Sequence, residues 1–265
     1  MQKNTIATVD GFIRLSAKER LIGPEATSLF VADAFSETLS SCEMTSCAVA
    51  NSGRTNETEE RMVFLGFFRR RPSIRDVAEL ADFVDQQSAY LIQRYIYDYT
   101  HARAGPYSKS LLTRPDFVQS VEQSRWRAYP LGLAMVGEMV EGVLRPHAGE
   151  ERRAILDPLS VLVLGVFDRY EVPTPIGVSA WQESRNELAH KLDQIGMHPP
   201  KLVTDIPEPY AERYFNLMPF DKELLSNDVP TTRSYLRLNL THIRDELVRR
   251  MDAPAIADTL LSRLP

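Results

Sequence analysis

Asp98 stands three residues before His101, and Glu187 stands three before His190. That spacing places a carboxylate and an imidazole on one face of a helix. Helical di-iron proteins use two such pairs together with single carboxylates from two further helices. Glu138 and Glu141 lie between the two pairs and complete the tally of residue types. Chance weakens the pattern: five histidines and 36 acids in 265 residues generate roughly 0.7 such pairs. Helix geometry weakens it further. At about 100° per residue, Trp181, Leu188, Leu192 and Ile195 share one face and His190 points to the opposite side. By the same rule Glu138 and Glu141 fall opposite Val136, Val140 and Val143, so both are expected in water, with Glu141 meeting Arg145 at i+4 as a solvated pair. The di-iron reading is therefore a remote alternative; no metal is assigned and no cofactor is indicated.

The same angular test singles out two charges where leucines would be expected. Asp98 lies only about 40° from the centre of the stripe shared by Val77, Leu91 and Tyr95. Arg125 occupies the apolar arc of Phe117, Val121 and Ala128. A buried charge is tolerated when paired and hydrogen-bonded. Asp98 and Arg125 are thus expected to meet inside the domain, with Arg94 or a tyrosine beside them. Such a pair either fixes helix register or lines a pocket for a small molecule or substrate.

Other chemistries lack their residues. There is no G-x-S-x-G elbow, no G-x4-G-K-[ST] loop and no G-x-G-x-x-G fingerprint. Cys42 and Cys47 are the only cysteines, too few for a four-thiolate zinc site or a disulfide framework. A net charge of −5 argues against a dedicated nucleic-acid binder, which needs a basic face to displace counterions from phosphates. No run approaches the roughly 18 apolar residues of a membrane span; the densest, Leu159 to Phe167, suits a short helix buried on all sides. The first residues mix acids and bases without a compact apolar block, so a cytoplasmic location is expected. No reaction can be named on these grounds, and whether the chain is an enzyme is left open.

The elements that must position these residues are helices. Residues 24–44 carry one possible amphipathic helix through Leu29, Phe30, Ala32, Phe35 and Leu39. The small, polar stretch that follows is expected to be a disordered linker. Character changes at Met62, itself a candidate translation start. Phe64, Leu65, Phe67 and Phe68 precede Arg69, Arg70 and Arg71, an apolar-then-basic segment suited to packing on the domain, to a partner, or to weak contact with an anionic membrane surface.

Ser73 with Asp76 three residues on predicts a helix from Ile74 to about His101, closed by Gly105 and Pro106. Pro115 opens another that kinks or restarts at Pro130 and runs to Arg145. Asp157 is expected to cap the short apolar helix, and Ser179 with Gln182 to form a capping box for a helix ending near Gly196. A short helix follows in 208–218, after a proline-fenced extended piece. Leu236, Leu240, Ile243, Leu247 and Met251 mark a strong amphipathic helix, and Asp252, Ala253 and Pro254 start the last one. No alternating run bounded by hairpin turns stands out.

The sequence thus predicts an all-α fold: a single multi-helix domain over 62–265, preceded by a poorly ordered extension over 1–61. The expected function is a protein-interaction or adaptor role with an unidentified protein partner, peripheral to a membrane through 62–71. The alternative is a small-molecule-binding domain or enzyme around Asp98 and Arg125. Homo-oligomerisation is open on sequence grounds.

Overall fold

A computed structural model of the chain describes residues 8–9, 12–13, 73–149, 154–220 and 228–262. Two short strands, β1 (Thr8–Val9) and β2 (Phe12–Ile13), pair antiparallel. The expected helix at 24–44, the linker and the segment 62–71 lie outside the described residues. Among the described residues from Ser73 onward the regular elements are helices, as the periodicity predicts. Among the described residues, no helix is long and apolar enough to cross a membrane.

Helix α1 (Val77–Ala104) begins at Asp76, whose carboxylate accepts the Glu79 amide at 2.8 Å. Ser73 is not the cap: its hydroxyl accepts from Arg75 Nε at 2.6 Å. The true cap lies one turn later because Asp76 satisfies an orphan helix amide directly. Gly105, at φ 50°, ends the helix in a conformation that side chains with a Cβ disfavour. A 3₁₀ turn and the short α2 (Ser108–Leu112) lead to α3 (Pro115–Leu144).

Helix α3 is the hub. It packs against α1, α4 (Leu156–Phe167), α5 (Val178–Ile195), α7 (Val229–Arg250) and α8 (Ala253–Leu261). Every residue from Ala128 to Glu141 is buried. This surround explains why Pro130 neither breaks nor restarts the helix: packing on all sides holds the segment despite one missing backbone hydrogen bond. It also corrects the expectation that Glu138 and Glu141 face water. Over this stretch the helix is covered all round, and the two side chains are 5% and 1% exposed. Close approach of α1 requires Gly132, where an added Cβ would lie 2.9 Å from the Ser88 carbonyl oxygen.

Three local expectations change. Ile155, not Asp157, precedes α4, and α4 is covered on one side only: Val161 is 71% exposed. Ser179 lies inside α5, which starts after Gly177 at φ 80°, so no Ser179 cap forms. Residues 203–210 fold as turns rather than an extended piece, leading into α6 (Ala211–Asn216). The C-terminal expectations hold: Leu236, Leu240, Ile243, Leu247 and Met251 are buried, and Asp252 caps α8 through the Ala255 amide at 3.3 Å. The chain before α1 is fastened to the α7–α8 junction by the Ile74 amide, which donates to the Arg250 carbonyl at 2.9 Å.

Candidate functional site

The charged residues expected in the interior find partners one turn away on their own helices. Arg94 Nε donates to Asp98 Oδ2 at 2.9 Å, and Arg125 Nη2 to Glu122 Oε1 at 3.0 Å. The Arg125 guanidinium also lies 5.2 Å from the centre of the Trp126 ring. Among the described residues, no ion pair joins Asp98 to Arg125; both side chains are about one-third exposed and each has its own partner. Burial is nevertheless the largest influence on Asp98, raising its pKa above the ordinary value against the pull of Arg94.

The residues of the di-iron pattern are dispersed. His101 Nδ1 contacts Ser108 Oγ at 2.9 Å, Glu187 pairs with Arg213, and exposed His190 contacts Gln194 at 3.0 Å. Among the described residues, no three of His, Cys, Asp and Glu gather as a metal-holding group. Phe64, Leu65, Phe67, Phe68, Arg69, Arg70 and Arg71 lie outside the described residues.

A buried acid that sequence reasoning missed is Asp228, at the start of α7. Its carboxylate accepts the Tyr99 hydroxyl at 2.5 Å and pairs with Arg103. Beside it, the Tyr95 and Thr232 hydroxyls lie 2.9 Å apart, and the Tyr214 hydroxyl donates to the Ile92 carbonyl at 2.6 Å. Tyr95 and Tyr235 pack at 4.4 Å between ring centres. Burial raises the Tyr95, Tyr99, Tyr214 and Tyr235 phenols above their ordinary value. This cluster ties α1 to α6 and α7. Asp228 directly before Val-Pro resembles a helix cap, which is the only local hint of it.

The chemically richer constellation is at the far end of α3. Arg145 forms a forked pair with Glu141, at 2.5 and 2.8 Å, buried rather than solvated as expected. Its guanidinium also donates to the carbonyls of His198 at 3.0 Å and Ile195 at 3.3 Å. These bonds hold the loop after α5 against α3. The same loop brings Lys201 Nζ to 2.8 Å and His198 Nε2 to 3.7 Å from Glu138 Oε1. Burial first, and the Glu138 charge second, raise the nearby Tyr210 phenol above its ordinary value.

Glu138 and Lys201 line a cavity of about 540 Å³ between α3, α7 and the 201–206 loop, with Met139, Val143, Leu202 and Val248 among its apolar walls. That size is ordinary for a small-molecule pocket, typically about 300–1,000 Å³. The paired carboxylate and ammonium can recognise charge.

A second concavity, of about 500 Å³, lies between α1, α4 and α8. Val77, Ala81, Val161, Leu162 and Leu260 make it apolar. Asp157 and Arg169 stand at its edge, and Arg169 is paired with Asp82 at 2.8 Å. Sequence marked α4 as uniformly apolar but could not say which side stays uncovered.

The chain matches no protein-family model, no curated protein and no solved structure.

Proposed function

We propose that this chain is a protein-interaction, adaptor-type domain that acts in the cytoplasm, and that the groove between α1, α4 and α8 is its docking surface. The observation that carries this reading is Val161, 71% exposed on the side of α4 that lines the groove with Pro158, Leu162 and Gly165. Leaving such a surface in water forfeits burial worth about 25 cal/mol per Å², and a partner recovers it. Asp157 lines the groove beside Arg169, whose charge is balanced by Asp82 and Asp85, so the acid in the lining favours a partner segment that is apolar and followed by basic residues. This chain itself carries a segment of that chemistry: Phe64, Leu65, Phe67 and Phe68 followed by Arg69, Arg70 and Arg71. We assign those residues to contact with a partner, a second copy of the chain included.

A fluorescein-labelled peptide with the sequence of residues 62–71 tests the reading when titrated with the full-length chain. Saturable anisotropy is expected with wild type and is lost in V161D, whose exposed position leaves the fold intact. Equal binding by V161D, or none by wild type, overturns the reading. Peptide that instead sediments only with vesicles of anionic lipid assigns the segment to a membrane surface.

A further inference from the structure

A carboxylate as deeply buried as Glu138 needs a counter-charge, because removing it from water otherwise costs several kcal/mol. Among the described residues its charge partners are Lys201 and His198. His198 Nδ1 lies 2.9 Å from the Pro199 carbonyl oxygen. A carbonyl only accepts, so Nδ1 carries a proton, while Nε2 stands 3.7 Å from Oε1, beyond hydrogen-bond distance. Lys201 is therefore the standing cation at the carboxylate. It comes from an irregular loop, and its side chain is one-third exposed. Among the described residues that buried Oε1 has no well-aligned hydrogen-bond donor, Lys201 at 2.8 Å included.

The Lys201 side chain is itself a four-carbon alkylammonium whose stem lines the cavity. We propose that this cavity is a binding site for a linear aliphatic primary amine, whose ammonium takes the place of Lys201 on Glu138 and whose chain lies against Met139, Val143 and Val248. Arg244 and His147 also line the cavity, with Arg244 paired to Asp245 at 3.1 Å; an anionic ligand seated against Glu138 would meet its charge, and an uncharged apolar one would bury the carboxylate unpaired once Lys201 moved. Among the described residues, no Phe, Tyr or Trp lines the cavity, so the aromatic cage that suits a quaternary ammonium is missing. A primary amine supplies three N–H donors, which the unfilled Oε1 acceptor requires. Lys201 acts as an internal placeholder, and the ligand's apparent affinity is reduced by the fraction of time the placeholder is seated. The site is separate from the α4 groove and does not depend on its role.

The test is calorimetric titration of the full-length chain with hexylammonium chloride. Wild type is expected to give one saturable site, K201A to bind roughly tenfold more tightly, and E138Q/K201A to give no saturable heat. Hexanoate and hexyltrimethylammonium are expected to give none with any variant. Absence of saturable binding to wild type, equal binding by E138Q/K201A, or equal binding of hexanoate overturns the assignment. Should K201A fail to fold, G142L serves instead. Gly142 lines the cavity, an added Cβ there meets nothing within 4 Å, and the larger side chain occupies the space while Glu138 and Lys201 remain. Loss of hexylammonium binding in G142L supports the site, and undiminished binding overturns it.

Discussion

Replacing Arg145 with methionine removes a guanidinium that makes four hydrogen bonds: two to Glu141 and one each to the carbonyls of His198 and Ile195. Methionine keeps much of the stem packing, so the loss is mainly electrostatic. It strands the Glu141 carboxylate, 1% exposed, at the end of the fully buried stretch of α3. Breaking a buried pair by deleting one partner costs about 3–5 kcal/mol. For a domain of this size each kcal/mol lowers Tm by about 2–4 °C, so R145M is expected to melt roughly 6–20 °C below wild type. Urea unfolding followed by far-UV circular dichroism measures the difference. E141L/R145M removes both charges and is expected to recover most of it, since a well-packed apolar replacement of a buried pair is neutral to stabilising. Amide exchange supplies a local readout: residues 196–203 should exchange faster in both variants, because the tether from Arg145 to the loop is gone in each. A cost below about 1 kcal/mol for R145M, or a double variant as unstable as the single, refutes the argument that this pair is buried and that its charge balance matters.

Two further expectations follow from glycine contacts and from titration. G132A forces a Cβ to within 2.9 Å of the Ser88 backbone, so α1 and α3 must separate at a cost of about 1–3 kcal/mol, whereas G142A meets open space and should gain up to about 1 kcal/mol in helix propensity; thermal melts showing the opposite order count against the packing of α1 on α3. Asp98 has its pKa raised by burial above the ordinary 3.8, so the native chain holds this proton more tightly than the unfolded one. Its ionised form therefore costs stability at neutral pH, a cost that disappears as pH falls through the raised value. D98N, which loses only a partly exposed pair with Arg94, is expected to match or exceed wild-type stability at pH 7, with any advantage vanishing on acidification; a D98N deficit at pH 7 would contradict this.

What sequence by itself determined is what local forces determine. The 3.6-residue stripe of Leu236, Leu240, Ile243 and Leu247, the Asp252 cap and the Gly105 stop each depend on neighbours within a turn or two, and each is found where the pattern places it. Tertiary structure alone decided which helix sides meet water. An angular test assumes every stretch of helix has a wet side; α3 has one near its start, where Val118 is 47% exposed, but none from Ala128 to Glu141, so Glu138 and Glu141 went inside against expectation. Enclosure then made distant partners matter: Lys201 for Glu138, the 195–198 carbonyls for Arg145, and Tyr99, 129 residues away, for Asp228. The reverse holds on α4, whose uniform apolar character implied full burial, while its neighbours cover one side and leave Val161 in solvent. Burial is a property of what packs around a helix, and no periodicity within the helix encodes it.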